Sequence, residues 1–323
     1  MKTGEKTLGL FLALALAFAF GESAAQSYPS KPIRFVTGNQ TGGGTDLLAR
    51  AVSQRLSEQL GQQVIVENKP GADGIIAADY VAKSASDGYT FLVGTDGQMT
   101  LNPGLYAKVP YDPIKDFIPV IQLSSNPVVF AVHPKFPATK ITDLIAMAKA
   151  KPGALFYASG AASFRVTAEL FKLQTGVNIV HVPYKGGAPS VSAAIAGEVA
   201  VVVTATSSVL AQLRTGQLRA LVVTSPKRTP LLPDVPTMAE SGVANFEVVT
   251  MQGLFAPAKT PRAIVDKVYN ELSLVLKLND VKERFAFLGL DPGGMASAEY
   301  GALLEANLAK WTKVLRDLNI RAE

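Results

Sequence analysis

The chain has 323 residues, a formal net charge of +5, 18% charged residues and no cysteine. The missing thiol excludes a disulfide framework, a thiolate metal site, a cysteine nucleophile and a lipidated cysteine. Its 31 lysines and arginines are dispersed, with no basic cluster interleaved with aromatics, so the charge does not point to nucleic acid.

Lys2 and Lys6 precede an uncharged apolar run from Leu8 to Phe20, and Ser23-Ala24-Ala25 follow. That order predicts a secretory signal over 1-25, cut after Ala25, and not a membrane span, which takes about 20 apolar residues. Removing it cancels Lys2 and Lys6 against Glu5 and Glu22, so the exported chain keeps its +5. A positive field suits a small anionic ligand. With no cysteine to staple it, the chain depends on its core, and about 300 residues are expected to divide into two domains.

Along the chain, short β-rich runs alternate with helical stretches. Ile33-Thr37 reads as a strand, Gly44-Leu60 as a helix closed by Gly61, Val64-Glu67 as a strand, Gly74-Lys83 as a helix and Thr90-Gly94 as a strand. This βαβαβ order predicts a parallel sheet with helices on both faces. It recurs later. Strands are expected at Pro127-His133, Leu155-Ala158, Ile179-Val182, Ala200-Val203 and Leu218-Thr224. Helices are expected at Ile141-Ala150, Ser163-Thr175, Ala188-Ala196 and Ser207-Arg214. The end reads as three helices, Pro261-Leu278, Val281-Leu288 and Ser297-Leu318, the first with Thr260 as N-cap and Pro261 in its first turn. Two such units predict lobe 1 over 26-126 and 251-323 and lobe 2 over 127-250. Crossings near Ser125-Pro127 and Thr250-Gln252 make a hinge beside a ligand cleft.

Chemistry concentrates where strands end. Thr41-Gly42-Gly43-Gly44-Thr45-Asp46 joins the first strand to the first helix, and its bare amides plus a helix start predict an anion seat. No G-K-[ST] follows, so it is not a phosphate loop of the Walker kind, and the spacing is not G-x-G-x-x-G. Thr95 and Asp96 follow the third strand. Ser159, Gly160, Ala161 and Ser163 precede a second-lobe helix, and Thr204 and Thr206 open another. In open α/β sheets, ligands bind beyond the carboxyl ends of strands. The two histidines lack metal-ligand spacing, and no G-x-S-x-G elbow occurs, so neither a metal nor a catalytic triad is expected. The single Trp311, on the last helix, reads as a packing residue.

The mature chain resembles the solute-binding proteins of tripartite tricarboxylate transporters, the Bug family. The marks are Tyr28-Pro-Ser-Lys-Pro-Ile-Arg34, Gly42-Gly-Gly-Thr-Asp46, Val66-Glu-Asn-Lys-Pro-Gly-Ala-Asp-Gly74 and Asp87-Gly-Tyr-Thr90. Asn102-Pro-Gly-Leu-Tyr106, Tyr111-Asp-Pro-Ile-Lys-Asp-Phe117, His181-Val-Pro-Tyr-Lys-Gly186, Leu218-Arg-Ala-Leu-Val-Val-Thr-Ser225, Leu232-Pro-Asp-Val-Pro-Thr237 and Gly253-Leu-Phe-Ala-Pro257 follow in order. The resemblance implies a two-lobed α/β periplasmic binding protein, a type II Venus flytrap with each lobe a central sheet flanked by helices. It implies a periplasmic location, a small organic acid ligand, integral membrane subunits as partners and no cofactor. A monomer is expected. By position it assigns one carboxylate to Gly42, Gly43, Thr45 and Asp46, with the Ser159-Ser163 loop opposite.

Departures bear on the ligand. Relatives usually have Pro-Phe-Ala-Pro before the glycines; here stand Gly38-Asn39-Gln40-Thr41. Where relatives often carry Phe-Asp-Asn, this chain has Val203-Thr204-Ala205, and losing that carboxylate leaves a ligand ammonium unpaired. Amino acids are therefore disfavoured against aliphatic or aromatic dicarboxylates such as terephthalate. Arg165 is a candidate clamp for a distal carboxylate, and Phe164 and Met251 are candidates for an apolar wall. A signalling co-receptor and a periplasmic hydrolase using Asp46 or Asp96 are the rival readings.

Overall fold

The computed structural model describes residues 28–321, so the signal reading lies outside the described residues. The first lobe begins with β1 (Ile33–Thr37), α1 (Gly44–Leu60), β2 (Val64–Asn68), a 3-10 turn (Ala72–Gly74), α2 (Ile75–Ala82) and β3 (Thr90–Thr95). Leu48, Val52 and Leu56 recur every four residues in α1 and are all buried, so one stripe of the helix faces the sheet. Gly61 ends it in the left-handed region at φ 65°, as expected from the sequence. A π-helical turn (Gly97–Leu101) runs into the short α3 (Asn102–Leu105).

The second lobe holds the end of β4 (Phe117–Val132), then α4 (Ile141–Ala150), β5 (Leu155–Ser159), α5 (Ala162–Thr175) and β6 (Ile179–Pro183). It continues through α6 (Gly187–Ala196), β7 (Val201–Ala205), α7 (Thr206–Arg214) and β8 (Arg219–Val223). The chain returns through β9 (Val249–Pro257) to α8 (Arg262–Val275), α9 (Asn279–Phe287), β10 (Asp291–Pro292) and α10 (Ser297–Asp317). Pro261 itself occupies the N-cap of α8, so the helix starts one residue later than the sequence suggests. Thr260 therefore lies outside the helix, its amide donating to Pro257 O at 3.0 Å.

Strand order is β2-β1-β3-β9-β4-β7-β5-β6, with β8 and β10 also on β4. The outer strands are parallel as expected, β1 to β2 and β3, and β5 to β6 and β7. Antiparallel β4 and β9 stand between them; of these the sequence reading expects only the second half of β4, as Pro127-His133, and assigns no element to the stretch that pairs with β9. β4 is 16 residues long. Residues up to Pro127 pair with β9, and residues from Val128 pair with β7 and β8. The two expected crossings face each other in register, Ser125 to Met251 and Asn126 to Thr250.

The two larger of the four buried clusters among the described residues lie one in each lobe. Phe35, Leu48, Phe91, Val265 and Phe285 pack in the first; Phe130, Tyr157, Phe171, Val201 and Phe246 pack in the second. Each such buried side chain stabilises the fold by about 1.5–3 kcal/mol. The last helix divides between lobes. Its Tyr300 and Leu304 pack with Val36, Leu92 and Phe255, whereas Trp311 and Leu315 join the second cluster.

Candidate functional site

The loops after β1, β2 and β3 converge on the start of α5 around a cavity of about 540 Å³. Gly38, Asn39 and Gln40, then the Pro70–Gly74 loop, then Thr95, Gly97 and Gln98 form its first-lobe wall. Ala161, Ala162 and Ser163 form the second-lobe wall. An adjoining cavity of about 240 Å³ shares Asp73, Leu105, Ala161 and Ala162 with it. Ser159, Gly160, Arg165, His181 and Tyr184 line this extension.

The glycine loop differs from its sequence reading. Gly42 donates its amide to Asp46 Oδ2 at 2.8 Å, and Gly43 donates to Gln40 O at 2.9 Å. The seat for a negative oxygen is thus filled by the chain's own carboxylate. Asp46 Oδ2 also accepts from Arg50 Nε at 3.0 Å, and Oδ1 from Asn68 Nδ2 at 2.8 Å. Burial favours protonation of Asp46, but the bonds from Arg50, Gly42 and Asn68 outweigh it and hold the carboxyl below its ordinary range. Asp46 is a staple between β1, α1 and β2, and Thr45 beside it is buried. The cavity wall here is made instead by Gly38–Gln40, one turn earlier in the loop.

The α5 start retains what the glycine loop lacks. Ala161 is its N-cap and makes no side-chain cap bond. The amides of Ala162 and Ser163 therefore lack helical partners, and both residues line the larger cavity. Gly160 is required behind them: a Cβ there would lie 2.0 Å from Gly186 O. Ser159 is buried, with its hydroxyl 2.8 Å from His181 Nε2. The His181 ring packs 5.0 Å from that of Tyr157, whose hydroxyl donates to Glu169 Oε1 at 2.9 Å.

The remaining expected residues separate. Thr95 lines the cavity and its amide donates to Gln98 Oε1 at 2.8 Å. Asp96 is buried behind the wall, where desolvation pushes its carboxyl up to about 7 against bonds from the Met251 and Gly97 amides. Thr206 donates to Pro127 O at 2.9 Å and Thr204 is fully buried, so these hydroxyls belong to the lobe interior and not to the cavity wall. Phe164 packs against the second cluster, because its place in the first turn of α5 turns it toward the sheet. Met251 is buried and opens onto a different cavity behind the crossing strands.

Sequence reasoning missed Asn39, Gln40, Gln98 and Asn102, which line the larger cavity, and Asp73, which lines both. A signal existed in Gly71-Ala-Asp-Gly74. Ala72 and Asp73 adopt φ of 47° and 49°, and such strained backbone gathers at functional loops. Asn102 Nδ2 donates to Asp73 O at 3.1 Å and Tyr106 donates to Asp73 Oδ2 at 2.8 Å, which hold that loop in place. Among the described residues there is no cluster suited to a metal, and no helix long and apolar enough to cross a membrane.

The family model for the tripartite tricarboxylate transporter family receptor matches residues 48–320. The chain is 36% identical over 315 residues to a UPF0065 protein from the tcbD-tcbE intergenic region of Pseudomonas sp. strain P51, covering 96% of this chain and 94% of that relative. It superposes on R. palustris Rpa4515 with adipate at TM-score 0.81 and 36% identity, covering 91% and 99% of the two chains. MatC from Rhodopseudomonas palustris with bound malate gives TM-score 0.76 and 30% identity over 89% and 100%.

Proposed function

The chain belongs to the tripartite tricarboxylate transporter receptor family, and from that premise we propose that it captures a small dicarboxylate between its lobes for delivery to membrane subunits of such a transporter. The observation that carries this reading is the first turn of α5. Its unpaired Ala162 and Ser163 amides line a cavity closed on the other side by Gly38–Gln40, Thr95 and Gln98. One carboxylate is seated there, on the positive end of the helix. The adjoining extension, with Arg165 and His181, takes the second. Solved relatives carrying adipate and malate support a dicarboxylate.

Lobe 1 is assigned to 26-126 and 251-323 and lobe 2 to 127-250, with the helical end reaching across. Closure about β4 and β9 brings the α5 turn onto the β1 and β3 loops. A ligand contacting both walls binds the closed form better, and only that difference shifts the open–closed balance. The mature protein begins at Gln26 in the periplasm and works as a monomer.

A thermal-shift screen followed by calorimetry tests the assignment. Adipate, malate and terephthalate should each be tried against glutamate and a sugar. At least one dicarboxylate raises the melting temperature and binds with micromolar Kd, about −8 kcal/mol. Stabilisation by glutamate or the sugar, with none by any dicarboxylate, would refute the assigned class.

A further inference from the structure

Behind the crossing strands lies a cavity of about 440 Å³ that shares no lining residue with the two front cavities. Alternation along the strands places it. Ser125 and Pro127 of β4, and their partners Met251 and Val249 of β9, all line it. Side chains between them point to the other face. Asn126 there donates to Ser207 Oγ at 2.6 Å, and Ser124 bonds Gln252, the register partner of the front-wall residue Thr95. The front and rear cavities thus occupy opposite faces of one antiparallel ribbon.

Both lobes contribute to the rear cavity. Lys227, Arg228 and Glu247 come from the second; Asp291, Met295 and Leu303 come from the first. Pro127, Val249, Met251, Met295, Leu303 and Trp311 give it an apolar floor. Lys310 is the unusual member. Its ammonium donates to Glu247 O at 2.9 Å and lies 4.9 Å from the Trp311 ring centre. Burial lowers its affinity for a proton, with the Glu247 charge opposing.

The cavity's cations are not all held in salt bridges. Arg228 is taken by Glu240 at 2.9 Å. Lys227 and Lys310 form no salt bridge among the described residues. Of the two acids on the wall, Glu247 acts on Lys310 by its charge, and Asp291, its proton affinity raised by burial, accepts from Thr229 Oγ1 at 2.9 Å. Lys310 and Lys227 are both exposed, so their ammonium groups are free to turn toward one carboxylate at the cavity mouth, with the attached chain covering the apolar floor. We propose that this rear cavity is a second binding site, for a monocarboxylate carrying an apolar tail, with its carboxylate on Lys310 and Lys227. The ligand fills the space between the lobes on the side away from the cleft.

Trp311 is the only tryptophan in the chain and lines the site, so its emission reports occupancy directly. The mature protein is titrated with octanoate under 295 nm excitation, and then with adipate added. A saturable change in emission is expected, weakened about tenfold in Lys310→Met, which loses a charge-assisted bond, and about threefold in the exposed Lys227→Ala. Adipate should leave the octanoate signal in place, both ligands being bound at once. No saturable change, unaltered affinity in both variants, or complete displacement of octanoate by adipate each overturns the second site. Adipate that binds nowhere while octanoate still saturates Trp311 counts against the cleft reading and in favour of this one.

Discussion

Replacing Asp46 with asparagine tests whether the glycine loop is a ligand seat or a filled staple. The native carboxylate is 1% exposed and its partner Arg50 is 48% exposed. The ion pair itself is therefore partly screened, and most of the loss comes from the buried bonds to the Gly42 amide and the Asn68 side chain. Charge-assisted bonds of this kind contribute about 1.5–3 kcal/mol each and do not add fully, and asparagine keeps one acceptor. Asp46→Asn should therefore destabilise the protein by about 2–3 kcal/mol. At a few degrees per kcal/mol, the melting temperature falls by roughly 5–10 °C. The folded carboxyl is held below its unfolded value, so its contribution is present above about pH 4 and disappears as pH drops through the depressed folded value. Melting curves of both proteins from pH 2.5 to 7 measure this, and the gap between them should close at the acid end. A variant within about 0.5 kcal/mol of the native protein at pH 7 refutes the staple.

Asp96 carries the opposite sign. Its folded carboxyl, raised to about 7, binds a proton that the unfolded chain releases near 4, so native stability falls as pH rises between those values. Asp96→Asn should be stabilising at pH 8, by on the order of 4 kcal/mol, and near neutral at pH 4, as chemical denaturation at the two pH values would reveal. Gly160→Ala drives a methyl to within 2.0 Å of Gly186 O, and the forced separation of those loops costs about 1–3 kcal/mol and weakens dicarboxylate binding by calorimetry. Gly43→Val meets Asn39 Nδ2 and Gln40 O at 3.0 Å, so it should displace the cavity wall and lower affinity while circular dichroism stays native. Arg165→Met should weaken a dicarboxylate about tenfold yet spare its monocarboxylate analogue, and equal losses for both would remove Arg165 from the distal seat.

Most of the architecture was legible because it is written locally. The spacing of Leu48, Val52 and Leu56, the glycine at 61 and the β-branched runs each fix a short stretch of backbone without help from elsewhere. The ordered motifs from Tyr28 to Pro257 carried the family. What stayed hidden was pairing between distant segments. The first half of β4 and the whole of β9 went unassigned because their mutual partners lie over a hundred residues apart, at Ser125 with Met251 and Pro127 with Val249. The candidate site divided the same way. Ser159, Gly160, Ala161, Ser163 and Arg165 line the two front cavities, since a helix start exposes its amides wherever it is placed.

Composition and local pattern alone determined that this is a cysteine-free, two-lobed α/β chain with donor-rich turns at its strand ends. Which donors remain for a ligand was decided only in three dimensions. Asp46 comes round on the first turn of α1, supported by Asn68 of β2 and Arg50, and takes the Gly42 amide for itself. Among the described residues no carboxylate bonds the first amides of α5, since the nearby Asp73 accepts from Tyr106 instead, and those amides line the cavity. A hydrogen-bond donor's availability depends on every acceptor the fold brings near it, and sequence order does not record that distance.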